Sequence, residues 1–518
     1  MQDLSNEAKQ NNPRGINRRT FVKTAATLAA ATALPASFLA ACGSVAQTAT
    51  TASGPTTVTF SFMTYADISQ GVQAVQTALN ATSALKAKNL SIKFDNIDSA
   101  SYTQKMTLRF SSGQPMDALF TASWINDFYN NVAQGNLLAL DDLLTQYAPK
   151  LKASMSSAIF DAARVNGKLY GIPNQQLFPK MWGALLRKDL ATKYTIDLTK
   201  VKTYADLTPI LALLKQKEPT IIPLLSDNQP TGIGGIYNPE THGVDEVAGG
   251  LGVGVKYTDT SLTAYNHYDT PEFLADAKQT RAWFNAGYYL KNPPSVSDSQ
   301  ASYKAGKYAF VFDQARPEEY GKFKTIYGYD EVQALLMTPF LDTSAVVSGL
   351  VGIARSSQHP QQAMELLEII NSDPTVYNLI CHGIAGKDYT LADPKLGYIT
   401  VPSNSQYTPS TDWEFGNQFN GYYTDQTEAQ ANVWQTSKAL NQQAPVSVAM
   451  GFAFDPTNVK TQVAQVGAAI TQYVAPVSKG LVDPTTGVSQ FLSALKQAGI
   501  DDIVKETQKQ LDSWKKTK

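Results

Sequence analysis

The first regular pattern of apolar and polar positions begins at Val58. In "VTFSFMTY", Val58, Phe60 and Phe62 alternate with smaller residues, which is the period of a β-strand. Two further strands are predicted at residues 90–94 ("LSIKF") and in "MDALFTAS", and helix-compatible segments separate all three. A repeated order of strand, helix and strand predicts a parallel sheet covered by helices.

Helical periodicity is stronger later in the chain. Three sets of apolar residues are each predicted to form one buried helix face: Ala363, Leu366, Leu367 and Ile370; Val488, Phe491, Leu492 and Leu495; and Ile500, Val504, Leu511 and Trp514. Gly499 lies between the last two sets, where it would end a helix, and Gly135 is placed to end the helix after "FTASW". A second αβ region is predicted from "LTPILALLKQ" to "KYAFVFDQ".

The N-terminus has the pattern of an export signal. Within "NRRTFVKTAATLAAATALPASFLAACGS" (residues 17–44), basic residues precede an uncharged run at 24–41, and small residues precede Cys42. The run is short for a bilayer span and rich in Ala, so we expect it to be removed. Arg18 and Arg19 resemble a twin-arginine export motif, and "LAAC" resembles a bacterial lipobox, which implies a lipid anchor on Cys42. An ordinary N-terminal helix is the alternative.

Composition narrows the class of protein. The chain has 518 residues, enough for two or more lobes, and a net charge of −1. Nucleic acid and acidic membranes are therefore disfavoured as main partners, because both attract basic patches. Only two cysteines occur. If Cys42 is acylated, Cys381 is a lone, buried thiol and no disulfide is expected.

Several segments resemble a known family: "ALFTASWINDFYNNVAQGNLLALDDLL", "GIPNQQ", "DPTVYNLICHGIAGKDY", "WEFGNQF" and the ending from "GFAFDPTNVKTQVAQV" to "LKQAGIDDIVKETQKQLDSW". They are similar to extracellular solute-binding lipoproteins (family 1) of carbohydrate-uptake ABC transporters, in the LipO-like subgroup with a characteristic C-terminal region. The resemblance covers about residues 58–514. Ala385 departs from it, because an acidic residue is expected there.

The resemblance implies an α/β, two-lobed periplasmic-binding-protein-like fold of type II, with hinge crossovers and a helical C-terminal region. The expected divisions are a signal peptide (1–42), a flexible linker (43–57), an N-terminal lobe (58–172 and about 340–372), a C-terminal lobe (173–339 and about 373–450) and a C-terminal helical region (451–518). It also implies a monomeric, non-enzymatic receptor outside the cytoplasm. This receptor would bind an oligosaccharide between its lobes and deliver it to ABC permease subunits.

Candidate ligand residues follow predicted strands. Sugars present apolar faces and a rim of hydroxyls, which suit aromatic, amide and charged side chains. In open αβ sheets ligands lie beyond the carboxyl ends of the strands. The resulting candidates are Tyr65, Asp67, Trp124, Asn126, Asp127, Gln175, Gln176, Trp182, Tyr237, Asn238, Asp313, Arg316, Trp413 and Asn417.

Some candidates have structural alternatives. Trp124 would pack under the following helix, Trp413 would plug a turn and Asp127 would cap a helix. Asp313 and Arg316 would form a surface ion pair. The other tryptophans, Trp283, Trp434 and Trp514, are predicted to be core residues.

Motifs for catalysis are missing from the sequence. Glycoside hydrolysis needs two carboxylates facing each other, whereas pairs such as Asp141-Asp142 are adjacent and point apart. There is no G-x-S-x-G elbow, no complete phosphate loop, no calcium loop and no close histidine spacing, so neither a cofactor nor a metal is predicted. A secreted carbohydrate-active enzyme and a receptor of the same fold for a non-sugar solute remain the alternatives.

Overall fold

The computed structural model of the protein describes residues 54–65, 67–226, 236–292, 295–316, 324 and 327–517. Within them, the strands are β1 (Thr56–Thr64), β2 (Leu90–Asp98), β3 (Ala118–Thr121), β4 (Arg164–Val165), β5 (Lys168–Leu169), β6 (Ile172–Pro173), β7 (Trp182–Arg187), β8 (Ile222–Leu224), β9 (Val244–Glu246), β10 (Val253–Lys256), β11 (Tyr265–Asn266), β12 (Tyr308–Gln314), β13 (Glu331–Leu335), β14 (Leu350–Ile353), β15 (Thr390–Asp393) and β16 (Tyr398–Thr400).

In the same residues, the α-helices are α1 (Val72–Asn80), α2 (Ser83–Ala87), α3 (Ser99–Ser112), α4 (Phe128–Ala133), α5 (Asp141–Tyr147), α6 (Pro149–Ser154), α7 (Ser157–Ala162), α8 (Lys188–Tyr194), α9 (Tyr204–Lys217), α10 (Pro271–Asn285), α11 (Val296–Lys304), α12 (Thr343–Val346), α13 (Pro360–Ser372), α14 (Pro374–His382), α15 (Gln426–Ala431), α16 (Val433–Gln443), α17 (Lys460–Ser478), α18 (Pro484–Ala498) and α19 (Ile500–Lys515). Short 3-10 helices lie at Leu198–Lys200, Pro239–His242, Asp412–Glu414, Gln418–Asn420 and Pro456–Val459.

The first lobe is built on a five-stranded sheet of order β2-β1-β3-β14-β6. β1 pairs in parallel with both β2 and β3, so the parallel arrangement predicted for the first three strands is confirmed. β14 returns from much later in the chain and runs antiparallel to β3 and β6. Phe60, Phe62 and Met63 of β1 are fully buried, because helices cover both faces of this sheet.

The second lobe has a four-stranded sheet of order β13-β7-β12-β8. Its central strands β7 and β12 are antiparallel, and Leu186 pairs with Phe310 in their register. Helices α9 and α10 pack on this sheet, where Leu211 of α9 and Trp283 of α10 are buried in the same core. The prediction that Trp283 is a core residue is confirmed.

The C-terminal region (residues 451–517) packs on one side of the second lobe. Its helices α17, α18 and α19 share a core with the small β11-β10-β9 sheet and with Phe273 of α10. Phe491 and Leu495 are fully buried, and Gly499 ends α18 with a left-handed φ of +89°, as predicted. The sequence did not show which lobe carries these helices, and the shared core assigns them to the second.

Three chain segments connect the two halves side by side: the first crossover (174–181), the second (336–343) and the third (444–450). The amide of Lys180 donates to the carbonyl oxygen of Phe340 at 2.8 Å. The amide of Leu341 donates to the carbonyl oxygen of Pro445 at 2.9 Å. The two-lobed architecture with hinge crossovers predicted from the sequence is thus confirmed.

One expected boundary is wrong. The sequence placed residues from about 373 to 450 with the second lobe, but Val376, Tyr377, Ile380 and Phe415 are buried in the first core. Helix α14 directly follows α13, whose apolar face packs on the first sheet, and the apolar face of α14 extends the same core. The chain enters the third crossover only after α16.

The cysteines and the N-terminus were also the subject of predictions. Cys381 is a buried, free thiol, as predicted. The export motif at Arg18 and Arg19 and the lipidation site at Cys42 lie outside the described residues. Among the helices described, none is long and apolar enough to cross a membrane.

Candidate functional site

One edge of the first sheet collects loops from distant parts of the chain. Parallel strands β1, β3 and β6 all end at this edge, and antiparallel β14 begins there. The loops that leave the edge carry Tyr65, Trp124, Asn174 and Gly349. This is the carboxyl-end position at which open αβ sheets bind ligands.

Two indole rings lie together at this edge. The ring centroids of Trp124 and Trp413 are 5.9 Å apart. Trp413 packs edge-on against Phe120 of the sheet, whereas Trp124 is 53% exposed, and its Nε1 donates to the carbonyl oxygen of Ser348 at 2.9 Å. Trp124 therefore does not pack under the following helix, and its ring is held in place while one face stays open.

Amide side chains lie beside the indoles. Nδ2 of Asn174 is buried and has no hydrogen-bond partner within the part of the chain that the structure describes. A Cβ on Gly349 would lie 3.1 Å from Nε2 of Gln176 and 3.5 Å from the carbonyl oxygen of Trp413, so these groups converge on a residue without a side chain. A buried donor without a partner is costly, and a ligand hydroxyl would satisfy it.

An acidic side chain lies beneath the same edge. Glu414 is fully buried, and its Oε2 accepts a hydrogen bond from the amide of Met63 at 3.0 Å. Burial raises the pKa of Glu414 well above its usual range, which favours the neutral acid. Tyr65 is 56% exposed, and partial burial together with the neighbouring Glu414 raises its pKa. Asp67, close by in sequence, accepts from the amide of Ser69 and is exposed.

The second lobe directs its own sheet edge toward the crossovers. β7 begins there at Trp182, and β12 ends there just before Arg316. Trp182 is half-buried against the second core, with its indole near the hydroxyl of Tyr204. Asp313 accepts a hydrogen bond from the hydroxyl of Tyr327 at 2.6 Å, and the backbone of Arg316 bonds to the side-chain amide of Gln333.

A cluster of charged groups lies at the crossovers. Nζ of Lys180 is 3.0 Å from Oε1 of Glu240, and Asp245 and Asp342 are its other acidic neighbours. Asp245 accepts a hydrogen bond from Ser447 of the third crossover at 2.5 Å. Burial, reinforced by Asp342, raises the pKa of Asp245 to about 8. We call Lys180, Glu240, Asp245, Asp342 and Ser447 the hinge cluster.

Two predicted ligand residues instead have structural contacts. Asn126 is buried at a φ of +45°, its Nδ2 donates to the carbonyl oxygen of Phe120, and its Oδ1 accepts from Asn131. Gln175 is also buried, and its Nε2 donates to Ser154 and Asn371. These bonds direct both amide nitrogens into the first lobe, which favours a structural role for the two side chains.

Three other candidates cap helices, and a fourth is bonded inside a core. Asp127 accepts from the amide of Asn130 and caps α4, which was its structural alternative. Asn238 and Asn417 cap the 3-10 helices that follow them. The hydroxyl of Tyr237 bonds to Nδ1 and to the carbonyl oxygen of His267 inside the core beneath the C-terminal region. These local partners favour structural roles for the four side chains, and their assignment as ligand residues stays a prediction.

Sequence reasoning missed Asn174 and Lys180. Asn174 directly precedes the two glutamines that were predicted as ligand residues in "GIPNQQ". Only the direction of its side chain in the structure distinguishes it from them. Lys180 gave no local signal, because its acidic neighbours lie 60 or more residues away. The described part of the chain contains no group of three or more His, Cys, Asp and Glu side chains that could hold a metal ion.

Comparison with known proteins identifies the family to which the chain belongs. The sequence profile of bacterial extracellular solute-binding proteins matches residues 65–376, more than half of the chain. The profile of a domain of unknown function, DUF3502, matches residues 448–516. A curated relative, the carbohydrate ABC transporter substrate-binding protein of Streptococcus pneumoniae serotype 4, is 25% identical over 422 residues, covering 80% of this chain and 83% of the relative.

Solved structures have the same fold. The crystal structure of the N-glycan transport solute binding protein NgtS from Streptococcus pneumoniae superposes with a TM-score of 0.77 at 21% identity, covering 88% of this chain and 98% of that one. The S. pneumoniae ABC-transporter substrate-binding protein FusA in complex with kestose has a TM-score of 0.56 at 15% identity, covering 89% of this chain and 100% of that one. These matches confirm the periplasmic-binding-protein-like fold, and the matching family is one of binding proteins rather than enzymes. The chain therefore belongs to the family of bacterial extracellular solute-binding proteins.

Proposed function

We propose that this protein captures an oligosaccharide between its two lobes and delivers it to the permease of an ABC transporter. The observation that carries the proposal is the paired indoles of Trp124 and Trp413 at the sheet edge, beside the unpartnered amide of Asn174. Aromatic faces suit the apolar C–H faces of sugars, and amides suit their hydroxyls.

Relatives support the sugar as ligand. NgtS, which shares the fold, has also been crystallised with Man1GlcNAc and with Man5GlcNAc, and FusA has been crystallised with kestose. The curated relative is a carbohydrate ABC transporter substrate-binding protein. Because identity to each is at most 25%, these relatives support the class of ligand and leave the particular sugar open.

The two lobes would close on the ligand by rotating about the crossovers. A ligand that touches both lobes favours the closed arrangement by its additional contacts, so binding shifts the populations of open and closed protein. The three hydrogen-bonded crossovers provide a narrow connection about which the lobes would rotate. The sequence contains no G-K-[ST] phosphate loop, so ATP hydrolysis would be performed by a separate subunit.

We further propose that Cys42 carries a lipid anchor after twin-arginine export and that the protein acts as a monomer at the outer face of the membrane. The motif order in residues 17–44 supports the anchor, and both lobes come from one chain, so no second copy is needed for capture. Replacing Cys42 with Ala should move the protein from the membrane fraction to the culture medium. Equal membrane association of both forms would contradict the anchor.

Isothermal titration calorimetry tests the proposed class of ligand. The panel consists of Man1GlcNAc, Man5GlcNAc, kestose, fructo-nystose, other neutral oligosaccharides and an acidic alginate oligosaccharide, and a dipeptide series serves as control. We expect micromolar or tighter binding to at least one oligosaccharide and none to the peptides. Absence of binding to every glycan would contradict the proposed function, and release of reducing ends from a bound glycan would favour the enzyme alternative.

A further inference from the structure

A large crevice lies between the first lobe and the C-terminal region, and we call it the C-terminal crevice. Its volume is about 1520 Å³. Helix α4 and residues 161–170 form one wall, and residues 451–460 with the last two turns of α19 form the other. Ligand pockets for drug-sized molecules have volumes of about 300–1000 Å³, so this crevice has room for a larger solute.

The two walls meet at a close backbone contact. Gly451 has a φ of +88°, and a Cβ on it would lie 2.8 Å from the carbonyl oxygen of Asp161. A residue with a side chain would push the walls apart at this point. The contact lies directly after the third crossover, so the two walls of the crevice touch next to the hinge.

Aromatic rings are present on both walls. Tyr129 and Tyr170 are half-buried on the first lobe, and Phe454 is half-buried on the C-terminal region. Behind Phe454, Phe452 and Trp514 pack edge to face with ring centroids 5.8 Å apart. Rings on opposing walls suit a ligand with apolar faces on both sides, as in a sugar ring.

Arg164 and Lys509, two of the three cations that line the crevice, are paired with carboxylates. Arg164 bonds to Asp161 at 3.0 Å and to Asp141 at 2.6 Å. Lys509 lies 3.3 Å from Glu506, which also accepts hydrogen bonds from Asn458 and Gln510. Because these two cations have carboxylate partners and the third, Lys460, acts on the carboxylate of Asp455, the crevice offers polar hydrogen-bonding groups rather than a basic site for an acidic ligand.

The crevice shares its first-lobe wall with the chain segment that follows Trp124. The loop that holds Trp124 turns at Asn126 directly into α4, and Asp127, Tyr129 and Asn130 line the crevice. A chain of sugars that begins on Trp124 would reach this wall by following the same loop. Extension across α4 would then bring later sugars between Tyr170 and Phe454.

We propose that the C-terminal crevice is the distal part of the ligand site and takes the additional, uncharged sugar residues of an oligosaccharide longer than a disaccharide. This inference rests on the proposed function. It gives the DUF3502 segment, whose residues form one wall, the role of selecting ligands by chain length. The first lobe recognises the terminal sugar at Trp124, and the C-terminal region recognises the rest.

Two variants on opposite walls test this inference: Tyr170→Ala on the first lobe and Phe454→Ala on the C-terminal region. Leu108→Ala is the control, because Leu108 is exposed on α3 and lines neither site. Each protein is titrated with the shorter and longer members of whichever series binds, Man1GlcNAc with Man5GlcNAc or kestose with fructo-nystose. The affinity for the shorter sugar reports on folding, since an unfolded variant would not bind that sugar either.

The wild type should bind the longer sugar about tenfold more tightly than the shorter. Both wall variants should lose about that factor for the longer sugar and less than about twofold for the shorter, and Leu108→Ala should change neither. Equal affinity of the wild type for both lengths, or equal loss of both ligands in the variants, would overturn the inference while leaving the proposed function intact. No binding of any glycan by the wild type would instead contradict the proposed function itself.

Discussion

Nζ of Lys180 lies 3.0 Å from Oε1 of Glu240, and this ion pair joins a crossover to the second lobe. Both side chains are mostly buried, with 19% and 16% of their area exposed. The backbone of Lys180 is simultaneously bonded to Phe340 of the second crossover. One residue therefore links two hinge segments and the lobe that moves with them.

Removing this lysine should destabilise the protein. Lys180→Met leaves Glu240 and the nearby Asp245 and Asp342 without their shared cation, and breaking such a pair costs about 2 kcal/mol or more. Urea unfolding at pH 7 measures the loss. The matched control is Lys200→Met, because Lys200 is 84% exposed beside Asp197 and a surface pair of this kind contributes little to stability. Equal effects of the two substitutions would show that the hinge cluster does not stabilise the fold.

Stability should fall as pH rises toward 8. The pKa of Asp245 is about 8 in the folded protein, against 3.8 as the ordinary value, so the folded state holds a proton that the unfolded state has released between these pH values. The stabilisation present below about pH 4 is therefore lost as pH rises, by at most about 1.4 kcal/mol per pH unit for one proton. Asp245→Asn removes this difference in bound protons between the folded and unfolded states.

Urea unfolding of wild type and Asp245→Asn at pH 5, 6.5 and 8 measures the difference. The variant should gain stability relative to the wild type as pH rises, because Asn keeps an oxygen that can accept from Ser447 and never ionises. Glu331, whose pKa burial also raises to about 8, contributes equally to both proteins. Parallel pH profiles of the two proteins would refute the assignment to Asp245.

The exposed indole should determine affinity without determining stability. Trp124→Ala removes a sugar-stacking face, and we expect affinity for the bound glycan to fall by about tenfold or more. Because 53% of Trp124 is exposed, the free energy of unfolding should change by less than about 1 kcal/mol. Trp124→Phe should recover part of the affinity. Unchanged affinity of Trp124→Ala by calorimetry would remove this residue from the site.

Asn126 should show the opposite behaviour. Asn126→Ala removes buried hydrogen bonds to Phe120 and Asn131 and puts a less suitable residue at a positive φ, so a loss of about 2 kcal/mol is expected. Glycan affinity of the folded variant should stay within about twofold of the wild type. Gln104→Ala, an exposed position on the adjacent α3, is the control. A selective loss of affinity without loss of stability would restore Asn126 as a ligand residue.

Sequence reasoning recovered the fold well because its signals are local. The period of two in β1, the apolar faces of α13 and α18, and the glycine after α18 each depend on residues within a few positions of one another. The strand-end rule also selected Trp124, which the structure places at an open edge. The boundary near residue 373 was missed because α14 continues the core begun by α13, and no change in composition marks that choice.

The site was predicted less well because side-chain direction is not a local property. Asn126 lies two residues after Trp124, but a left-handed backbone turns its amide inward. Gln175 is likewise turned into the first lobe, while its neighbour Asn174 keeps an unpartnered donor. The hinge cluster brings together residues from three crossovers and the second lobe, and single-sequence patterns carry no information about such distant pairs.

A crystal structure grown with a glycan that binds in titration tests the central claim most directly. We predict a sugar ring against Trp124 and Trp413, a sugar hydroxyl hydrogen-bonded to Nδ2 of Asn174, and the two lobes closer together than in unliganded crystals. A glycan bound away from this edge, with the lobes unchanged, would contradict the account.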